Sequence, residues 1–243
     1  MRKSTICCAG TTKILTNLIS NFYKEFIVKV HWLGHSCFKL EESTGTSIIT
    51  DPYHPYVGFS MPEVSCDAVT LSHNHEDHNF IEGIKGNPVI INKQGLFEVK
   101  GVHIRSLITD HDKEGGRLRG QNLVFQYRLD GVEVCHLGDI GEECNAMLAE
   151  ALVPTNVLLI PVGGNYTINA EEAKEYVDKL MPDVVIPMHF KTEDCSLDID
   201  GLDDFLDLFD KDEIVYLDSD TVEFDRFDFD GESTKVYVFK SQQ

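Results

Sequence analysis

The sequence predicts an α/β protein of the α+β kind, in which two β-sheets pack together with helices on their outer faces. Two observations lead to this fold class. Up to residue 139, short apolar segments rich in Val, Ile, Phe and Tyr alternate with turns that contain glycine. After residue 140 the pattern changes to helices that alternate with buried strands. A meander followed by such an alternation indicates one domain with two central sheets.

The first half of the chain is expected to form strands. A meander is predicted at residues 27–33, 37–41 and 46–51, and another strand at 68–73. Further strands are predicted at residues 88–92, 96–100, 102–110, 122–130 and 132–139. The Asp130-Gly131 pair between the last two strands is typical of a tight hairpin turn.

The second half is expected to contain, in order, a helix at 142–152, a strand at 157–162, a helix at 170–180 and a strand at 184–189. Asn169 and Glu172 form a capping-box pattern at the start of the second helix, and Pro182 follows its end. An apolar stripe within 202–209 predicts a further helix, and 214–217 predicts a strand.

The two ends of the chain differ in composition from its middle. Residues 1–26 carry apolar side chains at helical spacing, which predicts an N-terminal helical extension on a domain at 27–243. A transit peptide is the alternative, whereas no apolar h-region supports a signal peptide or lipoprotein anchor. Residues 193–230 hold 16 acidic residues against Lys211 and Arg226, and we expect them to form solvated faces of packed elements.

The charge balance excludes several classes of partner. The 243 residues include 21 Lys and Arg against 41 Asp and Glu, a formal net charge of −20. We therefore expect no nucleic-acid partner, because phosphate binding needs many basic side chains. An anionic membrane is disfavoured for the same reason, and no segment approaches the about 18 apolar residues of a membrane span. A small anionic substrate and a homo-oligomer stay compatible with the sequence.

The seven cysteines show no CxxC spacing, so neither a zinc ribbon nor a thioredoxin-like motif is expected. We expect free thiols in a reducing compartment, which predicts a cytoplasmic protein.

The segment Leu71-Ser72-His73-Asn74-His75-Glu76-Asp77-His78 is the main functional signal. Alternate residues of an extended chain point in opposite directions, so His73 and His75 can converge only if the strand ends there and a loop begins. A loop wrapped around a cation provides that arrangement. Imidazole and carboxylate groups without thiolates suit zinc, manganese or iron.

Three more polar residues follow apolar strands further along the chain. They are His111, Asp139 and His189, each at the carboxyl end of a predicted strand. This is where layered α/β folds place their sites. One such histidine alone is more often structural, but together with the first segment the three indicate a larger metal site.

These residues resemble the metallo-β-lactamase superfamily. The HxHxDH motif of that superfamily matches His73, His75, Asp77 and His78, and its later ligands match His111, Asp139 and His189 in order. Within it, the small hydrolases near the ascorbate-phosphate lactonases are most similar, on the segments Gly34-His35-Ser36, Asp51-Pro52 and Pro161-Val162-Gly163-Gly164. The resemblance covers about residues 28–190, and it implies a four-layer αββα sandwich at 27–243.

The resemblance implies a metal-dependent hydrolase with two divalent ions, zinc before manganese or iron. One ion would be held by His73, His75 and His111 and the other by Asp77, His78 and His189, with Asp139 between them. A metal-bridging hydroxide would attack a small ester, either a phosphodiester or a lactone. Asp77 would orient that hydroxide and accept its proton.

Further residues are candidates around this site. His35 is either a catalytic and substrate-binding residue or a structural one in a tight turn. Substrate-binding candidates are Tyr53, His54, Asn165 and Tyr166, with Tyr56 in the same loop as the first two. Arg117 and Arg119 are candidates for an anionic substrate group, Asp51 for a hydrogen bond to a ligand histidine, and His136 for a position near Asp139.

Two alternatives stay open at this point. The same fold hosts di-iron reductases and mononuclear-iron dioxygenases, although the reductases resemble HxExDH and this chain has His75 in place of that glutamate. The other alternative is a non-catalytic metal-binding protein, which the intact ligand set disfavours.

Overall fold

Two β-sheets lie face to face in residues 26–242, the part of the chain that the computed structural model describes. Their facing sides share one core cluster, which includes Val30 and Phe38 from the first sheet and Phe125 and Leu159 from the second. The α/β sandwich predicted from the sequence is therefore confirmed. The predicted helical extension at 1–26 lies outside the described residues, apart from Phe26.

The first sheet has six strands in the order β15-β1-β2-β3-β5-β7. Their bounds are β1 Ile27–Gly34, β2 Cys37–Glu41, β3 Ser47–Thr50, β5 Ala68–Thr70, β7 Val89–Ile91 and β15 Thr221–Asp225. Burial alternates along β1, as period-2 side-chain geometry requires of a half-buried strand. A separate two-stranded ladder joins β4 Val64–Ser65 to β6 Ile84–Lys85.

The second sheet has eight strands in the order β14-β16-β13-β12-β11-β10-β9-β8. Their bounds are β8 Gly95–Val99, β9 Val102–Asp110, β10 Gln121–Leu129, β11 Val132–His136, β12 Val157–Pro161, β13 Val184–Met188, β14 Ile214–Tyr216 and β16 Lys235–Val238. Strands β8 to β11 pair antiparallel, whereas β11, β12 and β13 pair parallel. As a result, β9, β11 and β13 all end at the same edge of the sheet.

The helices cover the outer face of the second sheet. They are α1 Ala146–Leu152, α2 Ala170–Leu180 and α3 Asp203–Leu206, and their apolar side chains join the cluster on that face. The capping box of Asn169 and Glu172 begins α2, as predicted. Within residues 26–242, three 3₁₀ helices lie at Pro55–Val57, Ile81–Gly83 and Lys240–Gln242. The first two belong to the loops that cover the outer face of the first sheet.

The structure corrects the predicted elements in several places. The strands predicted at 68–73 and 132–139 end at Thr70 and His136, and the short strands β4 and β6 were not predicted. Helix α1 begins at Ala146 and not at Glu142, because the Asn145 side chain accepts a hydrogen bond from the Leu148 amide and caps the helix there. Strands β15 and β16 were not predicted, although β16 lies between β13 and β14 in the second sheet. Within residues 26–242 no helix is long and apolar enough to cross a membrane.

Candidate metal centre

The predicted metal ligands meet at one edge of the sandwich, where strands of both sheets end. Strand β5 ends at Thr70 and the chain then turns, so the segment 71–78 is a loop, as the convergence of its histidines requires. His111, Asp139 and His189 follow β9, β11 and β13 at the neighbouring edge of the second sheet. The seven predicted ligands are therefore brought together by strand direction.

A first group of possible donors consists of His73, His75 and His111, whose ligand atoms lie within 4.8 Å of one another. The ring centre of His73 is 4.6 Å from those of both other histidines. His75 is exposed, whereas His111 is buried, so this group opens toward solvent on one side.

A second group consists of His35, Asp77, His78 and His189, again with ligand atoms within 4.8 Å of one another. The side chains of His35, His78 and His189 have no exposed surface, and that of Asp77 is 15% exposed. This group is therefore the more enclosed of the two.

Asp139 lies between the two groups. Its Oδ2 atom is 3.8 Å from Nε2 of His73 and 3.6 Å from Nε2 of His111. On the other side, Nε2 of His78 lies 3.2 Å from Oδ1, and Nε2 of His189 lies 3.2 Å from Oδ2. One buried carboxylate thus faces four imidazoles from both groups.

Asp51 anchors the 71–78 loop to the first sheet. Its carboxylate accepts hydrogen bonds from the Ser72 amide at 2.7 Å, from the Ser72 hydroxyl at 2.6 Å and from Nδ1 of His78 at 2.9 Å. The Ser72 hydroxyl also lies 2.8 Å from Nδ1 of His73. The Nε2 atoms of His73 and His78 are thereby left to face the centre of the site. The expected hydrogen bond is present, with Nδ1 of His78 donating to Asp51.

Asn122 positions Asp139 from the neighbouring strand. Its Oδ1 atom accepts a hydrogen bond from the Asp139 amide at 2.9 Å, and its amide group donates to Thr109 and to the Leu137 carbonyl. Gly138 has φ +57°, and a Cβ atom there would lie 2.3 Å from Oδ1 of Asn122. The close approach of this turn to Asn122 therefore needs glycine.

Charge and burial decide which site groups carry protons. Burial, together with His78, lowers the pKa of His73 to about 3, and burial also lowers the pKa of His111. Burial opposes the charged form of His78 too, but Asp139 and Asp77 outweigh it and raise the pKa of that imidazole. Despite burial, His189 and His78 hold the pKa of Asp139 well below its usual value. His73 and His111 thus keep a lone pair, and the buried carboxylates favour a cation beside them.

The unpaired atoms of the site fit a metal. Within residues 26–242, the buried side-chain atoms without a hydrogen-bond partner include Nε2 of His35, His73, His78 and His189 and Oδ1 of Asp139. A buried polar atom left unpaired costs about 1–3 kcal/mol, so five of them in one place are unfavourable without a further group. Neutral imidazoles and carboxylates are the donors that zinc, manganese and iron accept.

A family model described as the beta-lactamase superfamily domain matches residues 29–189 of this chain. That range includes every predicted metal ligand. The chain belongs to the metallo-β-lactamase superfamily.

Individual relatives agree with this assignment. A Thermotoga maritima protein of known structure, assigned to the metallo-β-lactamase superfamily as a candidate zinc-dependent hydrolase, is 38% identical. It has a TM-score of 0.72, and the match covers 87% of this chain and 98% of that one. A Pyrococcus abyssi protein named as a metal-dependent hydrolase is 30% identical over 197 residues, covering 68% of this chain and 86% of its own length. A Thermoplasma acidophilum protein of the same description is 27% identical, covering 69% and 85%.

This member of the metallo-β-lactamase superfamily is thus a metal-dependent hydrolase. An open pocket of about 430 Å³ lies beside its donor groups. The pocket floor includes His75, Asp77, His111 and Asp139. Its walls are formed by Tyr56, Glu76, Arg119, Tyr166 and Leu197. Its volume lies in the range of small-molecule sites.

The predicted substrate residues of this hydrolase are distributed unevenly around the pocket. Tyr166 lines it, whereas His35 and Tyr53 are buried and the Tyr53 hydroxyl donates to the Leu33 carbonyl. The His54 ring packs 4.2 Å from Phe80, outside the pocket lining. The Asn165 side chain donates to the Asp198 carbonyl and does not line the pocket either.

Sequence reasoning missed how the loop that carries Arg119 is held. The Asp112 carboxylate accepts hydrogen bonds from the backbone amides of residues 114, 116, 118 and 119. The guanidinium of Arg119 then lies 5.2 Å from the centre of the Tyr166 ring, whereas Arg117 pairs with Glu114 at the surface. An aspartate followed by Gly115 and Gly116 is a turn signal that could have indicated an ordered loop.

Proposed function

We propose that this protein is a dinuclear hydrolase that cleaves a small ester, a phosphodiester or a lactone. The observation that carries the proposal is the pair of donor groups joined by Asp139, because each group contains at least three donors that can surround an ion. Zinc is the preferred ion on donor chemistry, with manganese or iron as alternatives.

The ligand assignment follows the two groups. His73, His75 and His111 would hold one ion, and Asp77, His78 and His189 the other. Asp139 would contact both, since it lies within 4 Å of histidines in each group. Divalent ions held there would supply Lewis acidity, which lowers the pKa of water and stabilises negative charge on an ester oxygen.

Other side chains of the site would orient the attacking water and the substrate. Asp77 belongs to the enclosed group and also reaches the pocket, so its carboxylate can accept a hydrogen bond from an attacking water. Tyr56 and Tyr166 supply flat walls against which a small substrate can pack. The net charge of −20 disfavours nucleic acid as the substrate.

Arg119 supports a substrate that carries negative charge. Among the residues that line the pocket it is the one Lys or Arg, beside Glu76, Asp77 and Asp139. Its stacking on Tyr166 orients the guanidinium while leaving its N–H donors available, a geometry suited to a phosphate or carboxylate. We place the protein in the cytoplasm, since the five cysteines of the described part of the chain are free thiols.

The test is a reconstitution. The purified chain is stripped with a chelator, reloaded separately with zinc, manganese or iron(II), and assayed with a phosphodiester, a lactone and a thioester. We expect one metal to restore hydrolysis of the phosphodiester or the lactone, and His75→Ala to abolish it. His103→Ala is the matched control, because His103 is exposed on β9 and distant from the donor groups. Hydrolysis that persists without metal, or that survives His75→Ala, would overturn the proposal.

A further inference from the structure

His35 has an unusual backbone. Gly34, the last residue of β1, has φ +113°, and His35, which follows the strand, has φ +51° in the left-handed region. The Trp32 indole donates a hydrogen bond to the His35 carbonyl at 3.0 Å and holds the turn. A non-glycine residue in this region costs about 1–3 kcal/mol and persists only when its surroundings hold it there. The turn directs the imidazole into the molecule.

The His35 imidazole is buried without any ordinary partner. It has no exposed surface, and neither ring nitrogen has a hydrogen-bond partner within residues 26–242. A structural histidine in a protein core is normally hydrogen-bonded, because an unpaired buried nitrogen costs about 1–3 kcal/mol. His35 is also absent from the pocket lining, so a substrate in that pocket does not supply the missing partner.

Besides Tyr53, whose ring centre lies 6.5 Å away, the neighbours of the His35 ring include the other three members of the enclosed donor group. The ring centre of His35 lies 4.4 Å from that of His189 and 5.2 Å from that of His78. Its Nε2 atom is 3.8 Å from Oδ2 of Asp77, too long for a hydrogen bond. Two atoms that coordinate one ion at about 2.0–2.2 Å in a tetrahedral arrangement lie about 3.3–3.6 Å apart, so a small inward shift of either side chain would let both bind the same ion.

We propose that His35 is a direct ligand of the second metal ion, together with Asp77, His78 and His189. The proposal rests on the proposed metal-dependent function and adds a fourth donor, from the turn after β1, to that ion. A cation at the centre of the group would take the lone pair of Nε2 and remove one of the unpaired contacts. The ring would then bind metal, and not substrate.

A difference between the two ions follows. Besides Asp139, which would contact both ions, the second ion would have four protein donors, three of which have no exposed surface. The first ion would have three besides Asp139, including the exposed His75 that lines the pocket. We therefore expect a chelator to remove the first ion before the second, and the substrate to approach the first.

The test uses metal content, not activity, as its readout. His35→Phe fills the volume of the ring without a donor atom, and His35→Ala leaves a cavity that free imidazole can enter. We expect wild type to bind two cobalt(II) or zinc ions per chain and His35→Phe to retain one. Affinity for the lost ion should fall by more than the about 100-fold that removal of an outer hydrogen-bond partner costs. Added imidazole should restore the second ion to His35→Ala, together with the visible cobalt spectrum, but not to His35→Phe.

The outcomes distinguish a failure of His35 ligation from a failure of the proposed metal-dependent hydrolase function. If His35→Phe binds two ions with wild-type affinity and an unchanged cobalt spectrum, His35 is not a ligand. The proposed hydrolase function would not be affected by that result. A wild-type chain that binds no ion would overturn both. Circular dichroism shows whether each variant folds. If a folded His35→Ala variant lacks the second ion and added imidazole does not restore it, direct ligation by His35 is also contradicted.

Discussion

Nδ1 of His78 donates a hydrogen bond to Oδ2 of Asp51 over 2.9 Å, and both side chains are buried. A carboxylate can only accept, so this contact fixes the histidine tautomer and leaves the Nε2 lone pair for the centre of the site. The same carboxylate holds Ser72, which precedes the first histidine of the loop. Asp51 therefore links the first sheet to the orientation of the predicted ligands.

We expect Asp51→Asn to weaken metal binding by about 10- to 100-fold, the usual loss when an outer partner of a ligand histidine is changed. An amide can accept through one oxygen only, and its NH₂ group would face a donor. The measurement is metal content after dialysis against a graded chelator. Asp67→Asn is the control, because Asp67 lies at the opposite end of β5 and bonds Ser47 and Lys100. Equal retention by Asp51→Asn and wild type would contradict the role of Asp51.

We expect Gly163→Ala to disturb His189. A Cβ atom at position 163 would lie 2.2 Å from the His189 carbonyl oxygen, so the turn that carries this histidine must move. Overpacking of this kind costs about 1–3 kcal/mol, and thermal unfolding together with metal content measures it. At Gly201 a Cβ atom would meet nothing within 4 Å, and Gly201→Ala should therefore match wild type. A Gly163→Ala protein as stable and as metal-rich as Gly201→Ala would show that this contact is not needed.

We expect Arg119→Ala to raise KM about tenfold for an anionic ester with little change in kcat. A charge-assisted hydrogen bond contributes about 1.5–3 kcal/mol, and solvent in the open pocket reduces this contribution. A neutral ester of similar size should be unaffected. Arg117→Ala is the matched control on the same loop, because Arg117 is exposed and pairs with Glu114. Steady-state kinetics on both esters decides, and equal effects of the two substitutions would exclude a specific role for Arg119.

We expect metal binding to release protons. Metal needs the neutral imidazole, whereas Asp139 and Asp77 outweigh burial and raise the pKa of His78 in the metal-free chain. His78 therefore carries a proton below this raised pKa, and metal affinity should keep increasing with pH above the usual histidine pKa of about 6.5. Calorimetric titration in buffers of different ionisation enthalpy measures the released protons. Affinity that levels off at or below pH 6.5 would contradict this electrostatic account.

Periodicity predicted most of the fold because most strands bury one face or both. The strands around β1 and β12 are examples, and both were predicted to within two residues. Strand β15 was missed since its residues are mostly half-buried and acidic residues interrupt it, so the pattern resembled a solvated loop. Helix α1 was predicted too long because the Asn145 cap sets its first residue. The spacing of apolar residues does not indicate where such a cap begins a helix.

The metal donors could be predicted because several histidines close together at strand ends are typical of a metal site. The remaining parts of the site depend on which side chains point inward. Tyr53 was expected at the substrate, and His35 was expected either there or in a structural role. Both are buried and do not line the pocket, His35 after a left-handed turn and Tyr53 with its hydroxyl bonded to the Leu33 carbonyl. Arg119 lines the pocket on a loop that the Asp112 carboxylate holds through backbone amides. The turn signal in the sequence indicates an ordered loop, but it does not specify which side chain of that loop faces the pocket.

The central claim, a two-ion hydrolytic centre, is tested most directly by counting ions. Chelator-treated protein is titrated with the ion that restores hydrolysis, and bound metal and ester hydrolysis are measured in the same samples. The account predicts that both rise together and reach their plateau at two ions per chain. Full hydrolysis at one ion per chain, or hydrolysis that does not depend on the added ion, would contradict it.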